Sequence, residues 1–250
     1  MAQLMSSCSK AAPFSWGSRE TRLATFVLVH GAWMGGWCYG KTARLMRAEG
    51  HEVHVVTLTG LGDRAHLSHP GITLSVHIQD LVNVFEYENL TDAVLVGHSY
   101  GGMVIAGASA RVSGRIGKLV YLDAFLPKDG QSLWDIASDT SFYIDRQRTT
   151  PGLVAPPGRH SPEGPDFEKL KRKKLDLHPL LTLTEPVRLD GSEKNIARRT
   201  YILATNPPIF QRFYDEVKDD PAWTVRTMET GHVMMQENPE LLAKVLMEEA

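Results

Sequence analysis

Ala93-Val94-Leu95-Val96-Gly97-His98-Ser99-Tyr100-Gly101-Gly102-Met103-Val104-Ile105-Ala106-Gly107-Ala108 decides how this chain is read. Its first four residues form a short continuous apolar run of buried-strand type. From Gly102 onward, small and apolar residues predict a helix. Between them stands Gly97-His98-Ser99-Tyr100-Gly101, a G-x-S-x-G pentapeptide. Alone the pentapeptide is common and proves little. Flanked by strand and helix, it reads as a sharp turn that lifts a serine side chain off the sheet edge. The glycines leave the strand and helix room to pack where a Cβ would clash. Ser99 is therefore the candidate nucleophile. The plain alternative is a Gly-rich turn that only packs well.

Working outward, the same alternation recurs. Upstream, Ala24-Thr25-Phe26-Val27-Leu28-Val29 predicts a buried strand that ends in His30-Gly31-Ala32-Trp33 and Met34-Gly35-Gly36-Trp37. A helix follows over about residues 39–48 and closes at Gly50. Residues 52–57 predict a second strand, residues 59–66 a loop, and Val76, Ile78, Leu81, Val82 and Phe85 a helical stripe over 74–87. Downstream of the pentapeptide, residues 118–122 predict a strand. The late chain predicts strands at 201–204 and 223–226, with helices at 209–217 and 239–249. This pattern predicts an α/β fold, a doubly wound, mostly parallel sheet of about six strands with right-handed crossovers.

The alternation breaks over residues 127–196. Trp134, Ile136, Phe142 and Tyr143 suggest a short helix, residues 151–165 a Pro/Gly loop, residues 168–174 a charged stretch, and residues near 178–183 a further helix. We read this span as a small helical cap inserted after the strand that follows the serine-bearing helix. Residues 23–126 and 197–250 then form the core, and residues 1–22, rich in serine, a flexible leader.

Composition narrows the partners. With 27 basic and 29 acidic residues in 250, the net charge of −2 gives no reason to expect nucleic acid or an anionic membrane. The basic cluster Lys169, Lys171, Arg172, Lys173 and Lys174 lacks interleaved aromatics and reads as a solvated helix face. Cys8 and Cys38 make no disulfide framework and no metal-ligand spacing. No run has the apolar length of a membrane span, and the leader lacks the apolar centre of a signal peptide. These features predict a cytoplasmic protein with no metal.

A serine hydroxyl needs an adjacent base. Of ten histidines, only His232 stands in the loop after the last strand, the position from which this topology supplies one. The acid that orients it is harder to find. The loop after the strand at 201–204 reads Thr205-Asn206-Pro207-Pro208, without a carboxylate, and Asp215 lies inside a helix. Asp123 follows an apolar strand directly and precedes Ala124-Phe125-Leu126, so we favour it. Asp219 and Asp220 are weaker, since they precede the strand leading to His232. Backbone N–H groups of Tyr100 and Ala32 are the expected oxyanion donors. His30 is expected to brace the first loop.

Together, His30-Gly31-Ala32-Trp33, Gly35-Gly36-Trp37, Gly97-His98-Ser99-Tyr100-Gly101-Gly102 and Thr230-Gly231-His232 resemble the α/β-hydrolase superfamily. They are most similar to its esterase and hydroxynitrile-lyase branch, and the likeness covers nearly all the chain after Leu23. Bacterial carboxylesterases of the branch often share a loop like residues 59–66 and a segment like Tyr121 to Pro127, which favours Asp123. The chain departs from the plant members in lacking a carboxylate near Asn206. The cyanohydrin-cleaving lyases carry a threonine near the first-strand histidine and a lysine right after the catalytic one. Gly31 and Val233 stand there instead, which points to hydrolysis.

The resemblance implies a serine carboxylesterase of small to medium apolar or aromatic esters, working through an acyl-enzyme without cofactor. Trp33, Met34, Phe125, Trp134, Val233 and Met234 are its candidate pocket residues, each of which serves equally well as core. The expected partner is a small-molecule ester, with a homodimer left open. A lactonase, a C–C bond hydrolase or lyase, a cofactor-independent oxygenase, and a small-molecule receptor with a vestigial site remain the alternatives.

Overall fold

The computed structural model describes residues 23–145, 150–156 and 175–250. The leader, His160 and the basic cluster at 169–174 lie outside the described residues.

Six strands form one sheet: β1 (Thr25–Val29), β2 (Glu52–Val56), β3 (Ala93–His98), β4 (Ile116–Leu122), β7 (Arg199–Ala204) and β8 (Trp223–Met228), in the order β2-β1-β3-β4-β7-β8. Every neighbouring pair is parallel. The central strands carry continuous apolar runs because both of their faces are covered. All six residues of β3 are buried, whereas the edge strands β2 and β8 are only partly so. Helices α1 (Gly40–Ala48), α2 (Leu74–Tyr87) and α3 (Gly101–Val112) lie between the early strands, with α1 preceded by a 3-10 turn at Gly36–Tyr39. The small residues of α3 let it approach closely. A Cβ on Gly107 would stand 2.2 Å from Ile78 Cδ1 of α2.

Register sets up the site. Val29 pairs with Gly97, His98 with Leu122, Leu122 with Ile202, and Ala204 with Met228. The residues just past these strands therefore stand in one row along the carboxyl edge. The strand order reverses at β1 and β3, the crevice where open α/β sheets hold ligands.

The segment between β4 and β7 corrects part of the sequence reading. Its described part is not purely helical. It holds α4 (Leu133–Ile136), α5 (Ser141–Asp145) and α6 (Leu181–Thr184), and a two-stranded antiparallel ribbon of β5 (Leu153–Val154) and β6 (His178–Pro179). The helix expected from residue 178 starts only at Leu181. Pro179 disfavours the helical region for the residue before it and has no N–H, so His178 is extended. The chain ends with α7 (Gln211–Val217), α8 (Met234–Glu237) and α9 (Pro239–Met247), the last packing on α1.

Candidate active site

Ser99 occupies the turn between β3 and α3 with φ +53°, a left-handed setting that L side chains rarely adopt. Three glycines permit the turn. A Cβ on Gly97 would meet Gly101 O at 2.7 Å, one on Gly101 would meet His30 O at 2.9 Å, and one on Gly102 would meet Phe125 O at 2.0 Å. The turn after β4 is its neighbour and has the same hand, with Asp123 at φ +45°. The two are tied together: Ser99 N–H donates to Leu122 O at 3.4 Å, and Phe125 N–H to Ser99 O at 3.2 Å.

Asp123 is fully buried and fully engaged. Its Oδ1 accepts the Ala204 N–H at 3.0 Å, and its Oδ2 accepts His232 Nδ1–H at 2.6 Å. Its own N–H donates to Ile202 O at 2.7 Å. Tyr201 donates its hydroxyl proton to Ala124 O at 2.7 Å and accepts the Ala124 N–H at 3.2 Å. Strand β7 thus carries no carboxylate of its own but clamps Asp123, the residue just past β4. A buried carboxylate needs such charge-assisted donors. Asp215 pairs with Lys218 at the surface at 2.9 Å, Asp220 accepts the Ala222 N–H at 2.9 Å, and neither touches His232.

His232 is held from several sides. Phe210 lies flat against its ring, with centroids 5.0 Å apart and planes 5° apart. His98 Nε2–H donates to the His232 carbonyl at 2.8 Å, and Glu237 accepts the Gly231 N–H at 2.9 Å. Burial and the neighbouring His232 hold His98 well below the ordinary histidine value, so it stays neutral. The carboxylate at Nδ1 fixes the His232 tautomer and leaves Nε2 with the lone pair.

Ser99 and His232 open onto one cavity of about 340 Å³. Ala32 and Tyr100 line it too, and among the described residues no backbone hydrogen bond takes up either of their N–H groups. His30 is buried away from the cavity. Its Nδ1–H donates to Gly31 O at 2.8 Å and its Nε2 accepts the Leu58 N–H at 3.2 Å, bracing the first loop. Among the described residues, no group of three or more His, Cys, Asp or Glu side chains is placed to hold a metal ion.

Of the candidate pocket residues, Trp33, Met34 and Phe125 line the cavity, and Trp134, Val233 and Met234 do not. Trp134 lies on the far side of one-turn α4 from Leu133 and Ile136, which take the cavity face, and packs behind Tyr143 with ring centroids 6.0 Å apart. Val233 and Met234 wind into the core as α8 begins. Sequence reading missed Tyr143, Leu183, Ile209, Phe210 and Phe213. Phe125, Phe210 and Phe213 make one aromatic wall, with centroids 5.0 and 5.7 Å from Phe125. Trp33 and Tyr143, near-parallel at 6.5 Å, make another. The spacing of Phe210 and Phe213, three apart where a helix leaves a strand's carboxyl end, was a readable signal for the first.

The sequence profile of the alpha/beta hydrolase family matches residues 26–245. A carbendazim hydrolyzing esterase from Nocardioides sp. (strain SG-4G) is 39% identical over 238 residues, covering 90% of this chain and 98% of its own. A putative chloroplastic methylesterase 14 of Arabidopsis thaliana is 27% identical, over 94% of this chain and 76% of its own. Among solved structures, an extracellular alpha/beta-hydrolase from a Paenibacillus species superposes with a TM-score of 0.78 at 23% identity, covering 91% of this chain and 99% of that one. That likeness is one of fold. With its parallel sheet, its left-handed serine turn and a family profile spanning most of its length, the chain belongs to the alpha/beta hydrolase family.

Proposed function

We propose that this carboxylesterase-type hydrolase cleaves esters of small to medium apolar or aromatic substrates through an acyl-enzyme on Ser99. The observation that carries the reading is the left-handed serine turn opening onto the same cavity as a histidine locked to a buried aspartate at 2.6 Å. His232 Nε2 takes the hydroxyl proton as Ser99 Oγ attacks the ester carbonyl. The carbonyl π-electrons move onto oxygen, and the Ala32 and Tyr100 N–H groups stabilise that charge. The tetrahedral intermediate collapses, the C–O bond to the alcohol breaks, and the alcohol leaves with the proton from His232. Water repeats the sequence on the acyl-enzyme and releases the acid. Asp123 stays ionised throughout and stabilises the imidazolium.

The two aromatic walls favour flat or aromatic substrates, and the segment at 127–196 serves as a lid that sets their size. Carbendazim, whose hydrolysis names the bacterial relative, is the first compound to assay beside a p-nitrophenyl ester series. The Ser99→Ala variant is the control. Wild-type turnover that vanishes with Ser99→Ala supports the reading, and equal turnover in the two overturns it. A cytoplasmic setting belongs to the same proposal and is supported by the buried, unpaired Cys38.

A further inference from the structure

Described residues of the segment inserted between β4 and β7 hold Trp33 at its N–H, its carbonyl and its indole N–H. Its N–H donates to His178 Nδ1 at 3.3 Å, its carbonyl accepts the Asp176 N–H at 3.0 Å, and its indole N–H donates to Val154 O at 2.9 Å. Trp33 also stands at φ +62°, a conformation a bulky side chain takes only where surrounding contacts impose it. It follows Ala32 directly, so fixing the Ala32–Trp33 peptide fixes ψ of Ala32 and with it the approach of the Gly31–Ala32 peptide that carries the Ala32 N–H.

The His178 ring has no freedom of its own. Thr182 donates its hydroxyl proton to Pro179 O at 2.7 Å, so it can only accept from His178 Nε2–H, also at 2.7 Å. That leaves Nδ1 as the acceptor of the Trp33 N–H. The same ring packs edge-on against Tyr100 at 4.8 Å. The Tyr100 hydroxyl donates to His77 Nδ1 at 2.8 Å, and His77 Nε2–H donates to Thr59 O at 2.9 Å. One buried imidazole of the inserted segment therefore touches Tyr100 and the residue after Ala32. Burial, with His77 and His30 nearby, keeps it neutral. It does not line the cavity.

We infer that His178 is a positioning residue for the oxyanion hole. Its Nδ1 lone pair holds the Trp33 N–H, and through it the Ala32 donor, in the setting that stabilises the tetrahedral intermediate. The inference rests on the reading of Ala32 as an oxyanion donor. It also makes the inserted segment part of the catalytic geometry as well as a cover.

Two substitutions separate the nitrogens of His178. Asparagine places its oxygen where Nδ1 stands and loses the donor to Thr182. Glutamine reaches the Thr182 side and leaves no acceptor for Trp33. The assays are kcat and KM on p-nitrophenyl butyrate and the Ki of a trifluoromethyl ketone, which forms a tetrahedral serine adduct, with melting temperatures recorded for both variants. Loss of a whole oxyanion donor costs about 10²–10³ in kcat, so His178→Gln is expected to lower kcat about ten- to a hundredfold with KM little changed and the Ki weakened in parallel, while His178→Asn stays within about threefold of wild type. Equal losses in the two variants, a loss confined to KM, or a loss that follows melting temperature overturns the inference. Ser99→Ala, assayed alongside, separates the two levels. Turnover surviving in Ser99→Ala would overturn the underlying reading. An inactive Ser99→Ala with an unimpaired His178→Gln would overturn only the inference.

Discussion

Replacing Asp123 by asparagine changes no volume and reverses one hydrogen bond. The carboxylate now accepts from two donors, Ala204 N–H at 3.0 Å and His232 Nδ1–H at 2.6 Å. An amide offers one acceptor and one donor group. Turning its NH2 toward Ala204 would set two buried donors face to face, at a cost of about 1–3 kcal/mol. The amide oxygen therefore stays with Ala204, and the NH2 faces His232 Nδ1. His232 must then accept at Nδ1 and carry its proton on Nε2, which removes the lone pair that Ser99 needs. Forcing the wrong tautomer on a serine-hydrolase histidine costs about 10⁴ in kcat, equivalent to about 5.5 kcal/mol in the barrier. The assay is kcat on p-nitrophenyl butyrate at saturation, with the exposed Asp219→Asn as comparator and the melting temperature as a check on folding. If Asp123→Asn retains more than about a tenth of wild-type kcat, or Asp219→Asn loses as much, the tautomer argument and the place of Asp123 in it both fail.

Acid should unfold this protein through its histidines before its carboxylates titrate. Burial lowers His30 and His77 to about 4, while the unfolded chain titrates near 6.5. The unfolded state therefore binds more protons, and stability is full above pH 6.5 and falls as pH drops toward 4. Each of these two histidines contributes a loss of about 2 kcal/mol between pH 7 and 5, so the urea midpoint should fall steeply there, and a flat midpoint would refute the assignment. Gly102→Ala should be severe, since its Cβ would lie 2.0 Å from the Phe125 carbonyl. Overpacking against backbone costs about 3 kcal/mol, or about 6–12 °C in melting temperature for a chain of this size. Because that carbonyl belongs to the turn bearing Asp123, kcat should fall too, and a variant with wild-type melting and kcat would contradict the packing described.

The parts of the candidate site that stand at strand ends were legible in the chain as to place, because burial on both faces writes a strand as a continuous apolar run. An acid placed directly after such a run, as Asp123 is after Leu122, has little reason to be there for packing. Ser99 was readable for the same reason, with glycines marking where backbones close in. The pocket was less legible. Which side of one-turn α4 faces the cavity depends on what packs over it, so nothing local separates Trp134 from Leu133 and Ile136. Val233 and Met234 adjoin His232 in sequence, yet α8 starts there and turns them inward. The extended His178 was signalled by the proline after it, a local constraint that the apolar spacing of residues 178–183 obscured.

Strand β7 holds Asp123 through backbone groups of Ile202 and Ala204, and the next residue, Ala124, through the Tyr201 hydroxyl. No side chain of residues 205–209 carries charge, yet Ile209 sits at the cavity wall. Where an acid occupies that loop, mutation there risks the chemistry. On the proposed mechanism this loop carries no such duty, so a substitution at Ile209 is expected to change substrate preference with little change in kcat on a small ester. A library at Ile209, sparing Thr205 and Asn206, which bond Met228 O and Thr230 O on the way to His232, and Phe210 against the imidazole, is expected to sample new preferences, which makes this wall position the place to begin redesign.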